Sequence, residues 1–177
     1  MNTADCILSR RSVRAFQDKP VPHTLFEEIV GLAAYAPSWK NTQITRYIAI
    51  EDKAMIAEIA EKYAPFNAHV LSTCPLLVAA TVIKKRSGYE RDGSFTTDRG
   101  DGWQMFDCGI ACQTLSLAAH DNGLGAVIMG VFDRPALEKY LAVPDDRELV
   151  ALVAMGYPAE EPAAPRRKPV EELLSWR

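Results

Sequence analysis

Two short basic clusters stand near opposite ends of the chain, Arg10-Arg11-Ser12-Val13-Arg14 and Arg166-Arg167-Lys168. Guanidinium groups bind phosphate oxygens in pairs, and the Ser12 hydroxyl adds an oriented donor, so the first cluster has the chemistry of a phosphate clamp. The second could close that clamp if the fold brought the two ends together. The competing reading is a pair of solvated surface patches, the usual fate of Arg and Lys. A third group, Pro37-Ser38-Trp39-Lys40-Asn41-Thr42-Gln43, gathers several hydrogen-bonding side chains in one run. Its amides suit a ring carbonyl or a hydroxylated chain, and Lys40 suits an anion.

Other reactive residue types are spread more thinly. His23, His69 and His120 are too far apart in sequence to read as a catalytic set. Cys108 and Cys112 could stack on one helical face, but no further ligand lies nearby, so buried structural thiols are expected rather than a metal site. The Gly-x-x-x-x-Gly-Lys phosphate loop is absent. Gly123-Leu124-Gly125 followed by Gly130 differs in order and spacing from a dinucleotide fingerprint. These glycines read as a helix cap and turn, or as a place where backbone amides approach a planar ligand.

The elements that must position these groups follow from patterning. A short helix through Cys6, Ile7 and Leu8 precedes an extended segment from Arg10 to Phe16, which puts the basic cluster at a helix exit. Thr24 and Glu27 offer a capping box for a helix carrying Leu25, Phe26, Ile29, Val30 and Ala33, stopped by Pro37. A strand is expected over Tyr47 to Ile50. A helix capped by Asp52 follows, with Glu58 and Lys62 paired on its outer face. Leu76 to Ile83 is nearly continuously apolar and fits a central strand covered on both faces. Lys84 to Gly102 has no clean period and reads as a mobile loop or short irregular elements, suited to substrate access. Tyr89 and Phe95 within it could stack on an aromatic substrate or simply pack.

Gln104 to Asn122 is the longest helical segment, apolar on several faces, which suggests contact with a second surface as well as its own domain. Strands are expected at Ala126 to Met129 and Leu149 to Met155, with a helix capped by Asp133 between them. Alternating helices and strands point to α/β or α+β layers around a mixed sheet. Residues 158–177 read as an extended, proline-rich C-terminal tail with a short helix from Val170 to Trp176.

The 177 residues suit a single domain, 1–177, and a net charge of −3 argues against a nucleic-acid surface. No apolar segment is long enough for a membrane span, and the first residues lack the pattern of a secretion signal, so a cytoplasmic location is the expectation.

Taken together, Arg10 to Phe16, Ala36 to Gln43, Asp107-Cys108-Gly109-Ile110-Ala111, Gly123-Leu124-Gly125 and Gly156-Tyr157-Pro158 with Arg166-Arg167-Lys168-Pro169 resemble the nitroreductase family of FMN-binding flavoproteins. The resemblance spans nearly the whole chain. It implies an α+β fold with a mixed central sheet flanked by helices, built as an intertwined homodimer with FMN at the subunit interface. Arg10, Arg11, Ser12 and Arg14 would surround the FMN phosphate and ribityl chain, with Arg167 and Lys168 closing the site. Ser38 and Asn41 would approach the flavin from the partner subunit, and Gln43 could contact the same region. The backbone at Val127, Ile128, Met129 and Gly130 would lie near the reactive edge of the ring. One departure stands out: Ile44-Thr45 replaces the Pro-Trp that often follows this Asn-x-Gln in the family.

The implied activity is transfer of reducing equivalents from NADH or NADPH, through the flavin, to a nitroaromatic, quinone or similar acceptor in two half-reactions. Such chemistry belongs to the cofactor, so no residue is assigned as a catalytic acid, base or nucleophile. The alternatives are a specialised flavin-dependent dehydrogenase or dehalogenase, a non-catalytic flavin-binding protein, and a non-flavin α/β interaction protein.

Overall fold

The computed structural model describes residues 1–177. The elements run α1 (Thr3–Ser9), α2 (His23–Ala33), β1 (Thr45–Ile50), α3 (Lys53–Glu58), α4 (Ala68–Leu71), β2 (Leu76–Ile83), α5 (Gly102–Asp121), β3 (Gly125–Met129), α6 (Arg134–Tyr140), β4 (Arg147–Gly156) and α7 (Val170–Leu173). A π-helical turn, Ile59–Tyr63, continues α3.

The four strands form one sheet in the order β1-β2-β4-β3, and every neighbouring pair is antiparallel. The expected mixed sheet is therefore corrected to an antiparallel one. Alternation of helix and strand suggested parallel crossovers, which need a helix long enough to carry the chain back along the sheet. The seven residues of α6 rise only about 10 Å. The sole parallel pairing is an isolated bridge from Ser12 to Ala126, which lays the first basic cluster along the outer edge of β3.

β2 shows why its sequence lacks alternation. Leu77 and Ala79 enter one core with Val13, Phe16, Ile56, Ile59, Leu149 and Leu152. Val78, Ala80 and Val82 enter the other with Ile29, Ala33, Cys108, Cys112 and Leu115. Side chains alternate across the sheet and both faces are covered, so every position but Thr81 is apolar, and the buried Thr81 hydroxyl donates to the Arg46 carbonyl. Ile44, at the departure from the family pattern, is fully buried in the second core, and Thr45 opens β1 opposite Val82.

Local signals held where the cap is a single side chain. The Asp52 carboxylate accepts from the amides of Ala54 and Met55, Asp133 accepts from Ala136, and Lys62 pairs with Glu58 at 2.9 Å. The Thr24–Glu27 capping box does not form. α2 starts two residues earlier, with Pro22 at the N-cap and no side-chain cap, which places Thr24 inside the first turn. No helix is long and apolar enough to cross a membrane.

Residues 84–101 carry no helix, but the segment is internally bonded. Thr96 N–H donates to Gly88 O at 2.9 Å and Glu90 N–H to Ser94 O at 2.9 Å. The Tyr89 and Phe95 rings pack against each other with centroids 4.9 Å apart, and the Trp103 indole donates to Thr97 Oγ1 at 2.8 Å.

All four cysteines are buried and free. Burial pushes the Cys74 thiol up to about 11, and contact with Cys112 together with burial pushes the Cys108 thiol up. Since all four thiols are buried away from reagent, native protein at pH 7 is expected to react negligibly with a disulfide reagent over minutes, while unfolding in guanidinium releases four equivalents. A rapidly titrating thiol in the folded protein would contradict this packing.

Candidate functional site

α1 ends at Ser9 and the chain leaves it extended, with Arg10 as C-cap. Val13 N–H donates to Ala126 O at 3.2 Å, fixing Arg10 to Arg14 beside β3. The C-terminal tail is brought back by backbone pairing. Phe16 bridges Pro158, Gln17 N–H donates to Tyr157 O and Ala159 N–H to Ala15 O, both at 2.9 Å, and Glu160 Oε1 accepts from Arg14 N–H at 2.6 Å.

The result is a cavity of about 230 Å³ lined by Arg10, Arg11, Ser12, Arg14, Pro162, Ala163, Pro165 and Arg167. The two ends of the chain do meet. None of the four guanidinium groups pairs with a carboxylate side chain. Arg11 instead donates to the carbonyls of Leu8 and Arg10, and Arg14 to that of Ser12. Four clustered cations in no direct ion pair, with the Glu160 carboxylate held on the Arg14 backbone N–H, one hydroxyl and a phosphate-sized volume fit an oxyanion. Burial, reinforced by Arg10 and Arg11, pulls the nearby His120 imidazole down, and its Nε2 lies 2.7 Å from Ser9 Oγ. Lys168 lies outside this lining, pairing with Glu172 at 2.8 Å, and Arg166 is exposed.

Ser38 to Gln43 forms a tight strap after α2. Lys40, Asn41 and Gln43 have φ of 44°, 56° and 48°, left-handed values that cost a non-glycine residue about 1–2 kcal/mol each. Such a conformation persists only where surrounding contacts over-determine it. Ser38 Oγ accepts from Gln43 N–H at 2.9 Å, and Gln43 Nε2 donates to Asn41 Oδ1 at 3.1 Å. From outside the strap, Asp107 of α5 accepts from Trp39 N–H at 3.0 Å and from the Ser87 hydroxyl at 2.5 Å. Ser87 Oγ is in turn 2.7 Å from Thr42 Oγ1. Asp107 was visible in the sequence as a lone acid in an apolar helical run, yet its role depends on a tertiary contact.

The strap borders a larger, mostly apolar cavity of about 530 Å³. Phe26, Val30 and Ala33 of α2 line it with Ser38, Gln43, Ile44, Tyr47, Asp107 and Ala111. Burial pushes the Tyr47 hydroxyl up, which keeps it protonated. The two cavities share no lining residue. Ser38 and Gln43 therefore line a different cavity from the arginine cluster.

β3 supplies the remaining candidates. Ile128 is 45 % exposed, Met129 is buried at 5 %, and Gly130 is exposed. The Met129 side chain is thus withheld from the open surface. Because the Ala126 carbonyl faces Val13, the alternation of an edge strand turns the Ile128 N–H and C=O to the same open edge.

The nitroreductase family profile matches residues 7–157. The chain is 30% identical over 193 residues to an NADH dehydrogenase of Thermus thermophilus, covering 96% of this chain and 93% of that protein. It is 29% identical over 180 residues to an iodotyrosine deiodinase of Haliscomenobacter hydrossis, covering 88% and 79%. A nitroreductase family protein of Streptococcus pneumoniae superposes with a TM-score of 0.87 at 20% identity, covering 99% of this chain and 100% of the other, which establishes the shared fold. By the extent of the profile match and the full-length similarity, the chain belongs to the nitroreductase family.

Proposed function

We propose that this protein is an FMN-dependent oxidoreductase taking electrons from NADH or NADPH and passing them to a nitroaromatic, quinone or related acceptor. The observation that carries the reading is the cavity closed by the C-terminal tail, whose four arginines form no ion pair with a carboxylate side chain. Its size and donors fit the FMN phosphate rather than a whole cofactor. When bound, FMN would supply a ring that accepts and donates two electrons.

The chain's own residues bind and orient. Arg10, Arg11, Arg14 and Arg167 neutralise the phosphate, and Ser12 donates to it. The open edge at Ile128 offers a backbone N–H to a polar ring atom. Ser38, Asn41 and Gln43 reach the ring from a second copy, because their strap and the arginines line separate cavities. Exposed Met105 and Phe106 on α5 give that second copy an apolar face to cover. In this reading residues 1–177 form one cofactor-binding domain and 158–177 its clasping tail, and the protein is cytoplasmic.

A second reading, a flavin-dependent dehalogenase, is favoured by the similarity to the iodotyrosine deiodinase. One experiment separates them. Purified protein loaded with FMN is mixed anaerobically with NADH or NADPH while flavin absorbance is followed, then with a nitroaromatic, a quinone or a halogenated phenol. Bleaching by a nicotinamide and recovery with nitroaromatic or quinone is the expected outcome. Recovery with the halogenated phenol alone would select the second reading, and no bleaching with either donor would sink both.

A further inference from the structure

We propose that Asp107 is a positioning residue that holds the Ser38–Gln43 strap in its cofactor-facing conformation and couples it to residues 84–101. The inference rests on the FMN reading for the identity of the ligand, but its geometry stands alone. Asp107 is only 3% exposed, on a helix whose other buried residues, Gln104 apart, are apolar or small. A buried carboxyl group is costly unless its oxygens accept hydrogen bonds. Here they accept from Trp39 N–H and Ser87 O–H, donors from the strap and from the 84–101 segment.

The two attachments converge. Ser87 also meets Thr42, so one carboxyl group braces the strap at Trp39 directly and at Thr42 through a hydroxyl. Between those points lie Lys40 and Asn41, and Gln43 follows immediately, all three at positive φ. Without the brace, the left-handed residues lose the contacts that outweigh their strain, and the strap relaxes toward ordinary backbone angles. A surface ion pair from Lys40 to Glu90 at 3.2 Å joins the same two segments, but both partners are largely exposed and add little.

Asp107 lines the same cavity as Ser38 and Gln43, but its oxygens are taken up by Trp39 N–H and Ser87 O–H, so in this proposal it acts through the strap. The test compares wild type, Asp107→Ala, Asp107→Asn and Ser116→Ala. Ser116 is equally buried on α5 but bonds only to the Cys112 carbonyl, so its loss reports general destabilisation. Amide hydrogen exchange of residues 38–43 is followed in FMN-free protein, and FMN affinity by quenching of its fluorescence.

Asp107→Ala is expected to speed strap exchange and weaken FMN binding by roughly 10- to 100-fold, the loss of hydrogen bonds to a charged acceptor. Asp107→Asn keeps an acceptor for Trp39 N–H and should recover most of both losses. Ser116→Ala should leave both at wild-type values. If Asp107→Ala does not fold, Ser87→Ala replaces it, removing the arm that reaches Thr42. Strap exchange in the Asp107 or Ser87 variants matching wild type overturns the inference. Wild type that takes up no FMN overturns the flavin reading alone, since exchange in FMN-free protein still decides the role of Asp107.

Discussion

Gly125→Ala is expected to melt about 5–10 °C below wild type, from an overpacking cost of about 2–3 kcal/mol in a chain of this length. A β-carbon at Gly125 would stand 2.7 Å from both Cβ and Cγ2 of Val13. Rotating Val13 about χ1 cannot move its Cβ, so the backbone of residues 12–14 must shift. That segment carries Ser12 and Arg14 into the anion cavity, so the variant should also bind FMN more weakly than its stability loss alone explains. Gly31→Ala is the matched control: its site on α2 is open, with nothing within 4 Å, and a helical glycine gains about 0.5–1 kcal/mol on becoming alanine. Differential scanning calorimetry and FMN titration check both variants. A Gly125→Ala protein that melts with wild type would mean that β3 and the basic segment are not packed this closely.

The double substitution Arg14→Ala with Arg167→Ala should weaken FMN binding by about a thousandfold. Each guanidinium contributes a charge-assisted bond of about 1.5–3 kcal/mol, and the two come from opposite ends of the chain. Neither pairs with a carboxylate side chain, so their removal leaves no orphaned acid in the fold. Lys62→Ala removes one positive charge from an exposed pair with Glu58 and should leave affinity unchanged. Quenching of FMN fluorescence by FMN-free protein measures all three, and the wild-type affinity should fall as salt rises. Wild-type affinity in the double variant would place the phosphate elsewhere.

Local physics made much of this architecture legible. Leu76 to Ile83 was readable because a nearly continuous apolar run of strand length, interrupted only by Thr81, has to be covered on both sides. Asp52 and Asp133 were readable because an N-cap is one side chain and the next few amides. Strand order was not, since no residue of β4 announces that it separates β2 from β3. At the site, the charge of the two basic clusters was plain, while the backbone pairing of Phe16 with Pro158 that unites them has no side-chain signature. The same limit explains why Arg167 rather than Lys168 lines the cavity: the tail's path decides which side chain faces inward. The left-handed strap was invisible for a related reason. Lys40, Asn41 and Gln43 have no shared preference for positive φ, and the acid that braces them lies 64 residues beyond the end of the strap by its number, 107 against 43.

The tail that closes the arginine cavity has a thermodynamic corollary. An anion seated there touches both arms of the chain, so its departure and the tail's release are linked equilibria. Free ligand concentration would then set, by mass action, how often the C-terminus detaches, and the occupancy of the site would be readable in the exposure of the tail.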